Sequence, residues 1–556
     1  MKAFFFICLL VILSSYQSVR GMAVDDTVKN RFSDLGLIYD QSVDYTSTIN
    51  EGIRLIVNDS VQEGISHLAD GLNTLKLKEK SDRIYNYHIT ELVSFISNLN
   101  NGSLAGYEQE LGELVVKALF KNPDRSLFRT IDKYLRKYPN SIFINRINVF
   151  ISSFFMKSDD LKVRLNKLLA LDSLQVSAIT LMAEVLYRDE QYAESIRYFS
   201  KAIELFPEYS YAWDSRGLCY GKLGQYENAI RDHGSAIEQF PGYVPAYNNR
   251  GNARQELKQY EASITDYHKA IEINPDFDWP YNNLALSFEY LNKKDSAFYF
   301  FDMAIFKNGY NAVFYDNRGD LYYDRNEYEK AIMDYSRAID LAPANENYYV
   351  DRGDAYYYWD EVDAALPDFE KAIEIAPGYN YALTRISDCH YKKGNFLQSI
   401  TYCKKVIEKN PEYKYAYIRM GLSYGQLGDH LLEIETFRKA VEIDSTYESA
   451  LGNLGWAYYC VDNYDSCIYF SAKAVQHDEN AFYAMFNIAL SKLRQGKFDE
   501  SKVLYREYLD LYHKAEGVDA EISGGPEGAI QDLKDLLEKG IMVNEVNYIL
   551  KNLFVR

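Results

Sequence analysis

The sequence predicts an all-α solenoid of antiparallel helix pairs, and three observations carry that prediction. Near copies of one pentapeptide, "WDSRG" at 213, "YNNRG" at 247, "YNNLA" at 281, "YDNRG" at 315 and "YVDRG" at 349, each start 34 residues after the last. Pro207, Pro241, Pro275, Pro343, Pro377 and Pro411 keep the same register, with Gly309 and Ser445 at the intervening and following steps and Pro139 two steps upstream. Apolar and small residues within each unit recur at helical spacings of 3, 4 and 7.

The chain opens on "MKAFFFICLLVILSSYQSVRGMA": Lys2, an apolar run from Phe4 to Leu13, then small and polar residues ahead of Gly21 and Ala23. That pattern predicts a signal peptide over 1–23 and export, periplasmic or secreted. The run is too short to cross a bilayer, and no other stretch reaches about 20 apolar residues, so the mature chain is expected to have no integral membrane segment. Residues 24–107 read as a divergent helical region, with "VQEGISHLADGL" at 61–72 showing small and apolar residues at helical spacing. Residues 108–175 fit two degenerate units, the first closing on "FRTIDKYLRKYP". Ten 34-residue units follow over 176–515. Residues 516–556 read as a loop, "EGVDAEISGGPEG", and two helices that close the array by covering its last apolar face.

With each unit numbered from 1 and its proline at 32, positions 4, 7, 8 and 11 make one face of a first helix, as in Tyr315, Arg318, Gly319 and Tyr322. Positions 20, 24 and 27, as in Ala331, Tyr335 and Ala338, make the inner face of a second. Small residues let the helices approach and aromatics fill the space between them. The succession of aromatic, small, Tyr, Ala, aromatic, Ala and Pro resembles the tetratricopeptide repeat family, in ten in-phase units over roughly 60% of the chain. The last unit departs from it, with Tyr508 at the small position 27 and His513 in place of proline. The resemblance implies a right-handed superhelical solenoid whose concave wall is built from first helices.

Arginine at position 7 departs from the family pattern, and comparing units explains it. Arg216, Arg250, Arg318 and Arg352 occur where position 23 is Asp232, Asp266, Asp334 and Asp368; the other six units are apolar at 7 and never Asp at 23. Those arginines are therefore expected to be structural partners of position 23. Position 6 lies about 150° from the packing face and is expected to line the groove. It holds Asn249, Asn283, Asn317, Asp351, Arg385, Arg419, Asn453 and Asn487. Beside it stand Asp214, Asn248, Asn252, Asn282, Asp316, Asp320, Asp354 and Asp388, with Trp279, Tyr323 and Tyr357.

An amide offers both donor and acceptor, which suits the backbone of an extended peptide. The row is similar to the asparagine ladder of O-linked N-acetylglucosamine transferase; only the ladder carries over, since no catalytic domain fits after the repeats. The acids and aromatics suggest a Lys- or Arg-containing polypeptide, and Arg385 and Arg419 suggest an acid or a carboxy terminus. The opposing reading is that asparagine is a solvated helix residue inherited by duplication. No unit combines Lys at position 5 with Asn at position 9, so the carboxylate clamp for chaperone tails is not expected.

A net charge of −19, −21 without Lys2 and Arg20, and the lack of a basic stripe argue against a nucleic-acid partner. Eight scattered histidines, no HExxH, no Cys–His cluster and no phosphate-cradling glycine loop leave no active site, metal site or cofactor to expect. His233, at core position 24, reads as a packed histidine. Five cysteines lie beyond the leader, read as small buried hydrophobes, with pairing of Cys389 with Cys403 or Cys460 with Cys467 left open. The expected function is a non-enzymatic scaffold that captures an extended protein or peptide segment. The alternative is a structural subunit of an envelope or secretion assembly, bound through its convex face or ends; an enzyme hidden in the amino-terminal region is the third possibility.

Overall fold

A computed structural model describes residues 104–121, 126–514 and 526–554, with scattered positions between 63 and 101. The expected leader, most of the 24–107 region and the loop up to residue 525 lie outside the described residues. Every regular element among the described residues is a helix. The chain divides into two units, Met1–Phe314 and Tyr315–Arg556.

In the first unit, helices Gly106–Lys121, Ser126–Lys137, Ile142–Phe155 and Ser158–Leu171 share an apolar core of Leu111, Ile131, Ile144 and Leu165, joined by Leu181 and Val185 of the next helix. Four pairs follow. First helices Val176–Arg188, Ser210–Lys222, Val244–Glu256 and Trp279–Tyr290 alternate with second helices Tyr192–Leu205, Tyr226–Gln239, Tyr260–Ile273 and Lys294–Lys307. In the second unit the pattern continues with second helix Tyr328–Leu341, then pairs beginning at Glu346, Asn380, Lys414, Glu448 and Phe482. Each of these first helices packs on its own second helix, and within each unit these second helices pack on the next first helix. Successive first helices also touch one another within each unit, which makes them its inner wall.

The repeat sequence explains this packing. Position 8 is small because position 24 fills the space in front of it: a Cβ on Gly251 would stand 2.5 Å from the Tyr267 ring, and one on Gly353 2.8 Å from Phe369. The alanines at position 27, among them Ala202, Ala270, Ala338 and Ala372, are fully buried. The second helix stops just before the proline register; Phe206, ahead of Pro207, turns to φ −143° while its N–H still bonds Ala202 O. The turn within each pair is fixed by one left-handed residue at position 15, Gly in repeats 2, 7, 8 and 10, but Glu190, Lys258, Asn292, Asn326, Asp360 and Asp462 elsewhere.

The last helices are Pro526–Glu538 and Val543–Asn552. The former starts at Pro526, inside the stretch that reads as loop, because a proline suits the first turn of a helix. It packs on first helix Phe482–Arg494, where Leu533, Leu536, Val546 and Ile549 share a core with Phe486, Leu490 and Leu493. The five cysteines Cys219, Cys389, Cys403, Cys460 and Cys467 are all free, and all but Cys460 are buried.

Candidate functional site

Arginine at position 7 is bound within its own repeat. Arg216 donates through Nε and Nη2 to Asp232 at 2.7 and 2.8 Å, Arg250 to Asp266 at 3.0 and 2.6 Å, Arg318 to Asp334 and Arg352 to Asp368 each at 2.8 and 2.7 Å. Each is a two-pronged guanidinium–carboxylate pair with a buried acid. The guanidinium also lies over the position-4 ring, 4.8 Å from the Trp213 centroid and 5.7 Å from that of Tyr247. Arg216 and Arg352 reach on to Ser200 and Ser336 of the preceding repeat, tying neighbouring pairs together.

Position 6 makes a different set of bonds. Asn249 donates to both oxygens of Asp214, at 3.1 and 3.3 Å, and Asp214 also meets His233 Nδ1 at 2.6 Å. Asn283 donates to Asn248 Oδ1 and Asn252 Oδ1, both at 3.0 Å, and Tyr267 holds Asn252 from behind at 2.8 Å. Asn282 donates to Asn283 Oδ1. In the second unit Arg385 bonds Asp354 through Nε and Asp388 through Nη1, and Arg419 bonds Asp388. The side chain at position 6 thus reaches back to position 5 or 9 of the repeat before it.

This changes how accessible the row is. Asp214, Asn248, Asn282, Asn283, Arg385 and Asn487 are buried, each under 9% exposed. Asn249, Asn252, Asn317, Asp316, Asp351, Asp354, Arg419 and Asn453 are half-buried, and Asp320 is exposed. Asn453 donates along its own helix to Ser449 O, and Asn487 sits on the helix that carries the terminal pair. Arg385 and Arg419 are each engaged by aspartates, so the expectation that they await an acid from a ligand meets two carboxylates already in place. Residues 31 and 35 earlier in the chain lie within bonding reach of position 6, which the angular argument on a single helix does not contain.

One stretch of the wall carries unbalanced charge. Asp351 at position 6 of repeat 6 faces Asp316 and Asp320, positions 5 and 9 of repeat 5, where later repeats set an arginine against an acid. Burial, and then repulsion by Asp316, Asp320 and Asp354, pushes Asp351 up to about 8. Burial and Asp320 bring Asp316 to about 7. Asp320 is exposed as a residue, but its carboxylate is turned into the wall, where loss of solvation raises it to about 6 against a 2.8 Å hydrogen bond from Tyr335. Asp316 Oδ1 is sealed from solvent and has no hydrogen-bond partner. No three His, Cys, Asp or Glu side chains among the described residues are arranged to hold a metal ion.

No curated protein matches the sequence. Among solved structures, YrrB, a TPR protein with an unusual peptide-binding site, is 23% identical over 33% of this chain and 95% of its own, at a TM-score of 0.30. A tetratricopeptide repeat protein from Parabacteroides merdae is 19% identical, covering 46% and 98% at 0.36, and pilF of Pseudomonas aeruginosa is 16% identical, covering 40% and 98% at 0.34. Family models described as tetratricopeptide repeat match residues 180–244, 244–277, 346–379, 415–447 and 483–514, and one described as TPR repeat matches 319–358. With helix pairs packed in that register, the chain is a tetratricopeptide repeat protein.

Proposed function

We propose that the protein is an exported, non-enzymatic scaffold that holds an extended protein or peptide segment along its wall of first helices. The observation that carries this reading is the side-chain ladder between repeats. An amide whose NH2 group is held by the repeat before it, as Asn249 is by Asp214, turns its carbonyl oxygen the other way at fixed orientation. Such a fixed acceptor, with acids beside it, can pair with an N–H group of an extended backbone at little ordering cost. Net charge of −19 disfavours nucleic acid, and no described helix is long and apolar enough to cross a membrane. Export rests on the leader-like pattern of residues 1–23 alone.

The test is capture of polypeptide in the native compartment by the intact chain and by the Asn249→Ala, Asn283→Ala, Asn317→Ala triple variant. Capture should fall by about tenfold or more in a variant that keeps its helical circular dichroism. Undiminished capture would favour the second reading, a structural subunit of an envelope or secretion assembly. That reading draws on exposed apolar side chains of second helices and their following loops: Phe306 and Tyr310 in the first unit, Met333, Leu397 and Leu431 in the second.

A further inference from the structure

We propose that the second helix of repeat 4, Lys294–Lys307, is the contact face of a homodimer, and that its occupant is the same helix of a second copy of this chain. The inference concerns second helices and stands whether or not the first-helix wall holds polypeptide. Comparison of the units singles this helix out. Position 29 is Glu, Asp or Gln in nine of the ten units and Phe306 in the remaining one. Position 33 is Tyr310, where every other unit has a polar or small residue. Position 26 changes with them. Lys269, Lys371 and Lys439 each bond the glutamate three residues on, at 2.9, 2.9 and 2.7 Å, and repeat 4 has Met303 and Phe306 in place of that pair. A surface ion pair is thus exchanged, on both sides, for apolar side chains.

The exchange leaves large rings in water. Tyr299, Phe306 and Tyr310 are 59%, 80% and 82% exposed. Tyr299, Met303 and Phe306 are spaced by 4 and 3, so they form one seam along the helix, with Asp302 to one side, and Tyr310 follows just past the helix end. That is the spacing by which two helices pack, and an identical helix running antiparallel presents the same seam in return. Charge favours the same occupant. At −19 two copies repel each other on the whole, but this helix sets Lys294 and Lys307 against Asp295 and Asp302 and carries no net charge. The second helix before it, Tyr260–Ile273, sets Lys269 alone against Glu261, Asp266 and Glu272. Area points the same way. At about 200 Å² per ring the three aromatics of one copy offer roughly 450 Å². Two copies together bring roughly 900 Å², which Met303 and the rim of the helix carry to the ~1,000 Å² that a specific contact needs.

Sedimentation velocity of the full mature chain over a wide concentration range tests this. The parent should pass reversibly from monomer to dimer with a dissociation constant on the order of micromolar. Phe306→Glu with Tyr310→Asp, which restores the residue types of Glu272 and Asp276 in repeat 3, should raise that constant by about tenfold or more at unchanged circular dichroism. Leu431→Glu, at an equally exposed apolar side chain on the second helix of repeat 8, should leave it as it is. A photoreactive residue at Phe306 should give an adduct of twice the chain mass. A parent that stays monomeric throughout, or a dimer that persists in the Phe306→Glu, Tyr310→Asp variant, would overturn the second copy as occupant. Adducts from Phe306 to other proteins in the native compartment, with a monomeric parent, would do the same and assign the face to an unlike partner. Neither readout involves capture of polypeptide on the first helices, so failure here and failure of that reading are separate results.

Discussion

Arg352 and Asp368 show how a charged pair can replace apolar packing at one place in a repeat. Removing the acid strands a guanidinium whose side chain is 22% exposed, so Asp368→Ala should cost about 2 to 3 kcal/mol, below the full penalty for a sealed pair. The double change Arg352→Leu with Asp368→Phe copies Leu284 and Phe300 of repeat 4 and should return to within about 1 kcal/mol of the parent; urea unfolding in a double-mutant cycle measures both. This pairing was legible without a structure because the ten units vary against one another, four with Arg and Asp and six without.

The three-carboxylate cluster was not legible as a cluster. Asp316, Asp320 and Asp351 each stand out by position, but their proximity depends on how one repeat packs on the next, which a single helix wheel does not contain. Its titration gives a signed prediction. The groups facing it are Asp354 on the Asp351 helix, Asp324 just beyond the Asp320 helix, Tyr335 on the second helix of repeat 5, Tyr348 at the start of the Asp351 helix, Tyr379 ahead of the next first helix, and Arg385, which offsets Asp354. Folded proton affinity is raised for all three acids, so the native state binds more protons than the unfolded one. The cluster is least costly when protonated, and stability falls as pH rises from about 4 through about 8. Thermal melts at the two ends of that range should show a steeper loss in the parent than in the Asp316→Asn, Asp320→Asn, Asp351→Asn variant; parallel curves would contradict the raised proton affinity of the three acids.

At the scale of the element, helix positions came from phase rather than from local signals. Most helices have no side-chain N-cap bond; Ser141, Asn345, Asp429 and Asn463 are among the few residues that provide one. Amphipathic packing against neighbours must therefore supply most of the helical stability. The turn between paired helices was less readable, since only four of the ten left-handed residues are glycine. Lys258, at φ +57°, holds a conformation that crowds its Cβ. Lys258→Gly should stabilise the fold by about 0.5 to 1 kcal/mol, because glycine there relieves the strain at a smaller entropic cost; a lower midpoint in urea would count against that account of the turn.

At the scale of the whole molecule, the period of 34 residues made the stack of helix pairs predictable, while the terminal helices brought information that periodicity could not. Phe486 and Leu490 occupy wall positions 5 and 9, which are Asn248 and Asn252 in repeat 3 and Asp316 and Asp320 in repeat 5, and the helices after Pro526 cover them. Asn487, singled out by register, is consequently buried on a covered helix. The central claim is that polypeptide is held on the first-helix wall, and site-specific photocrosslinking in the native compartment tests it most directly. Photoreactive residues at Leu218 and Leu422, position 9 of repeats 2 and 8, should yield polypeptide adducts, and those at Leu397 and Leu431 on second helices should not. Adducts from Leu397 and Leu431 alone would contradict the claim and assign recognition to the outer helices.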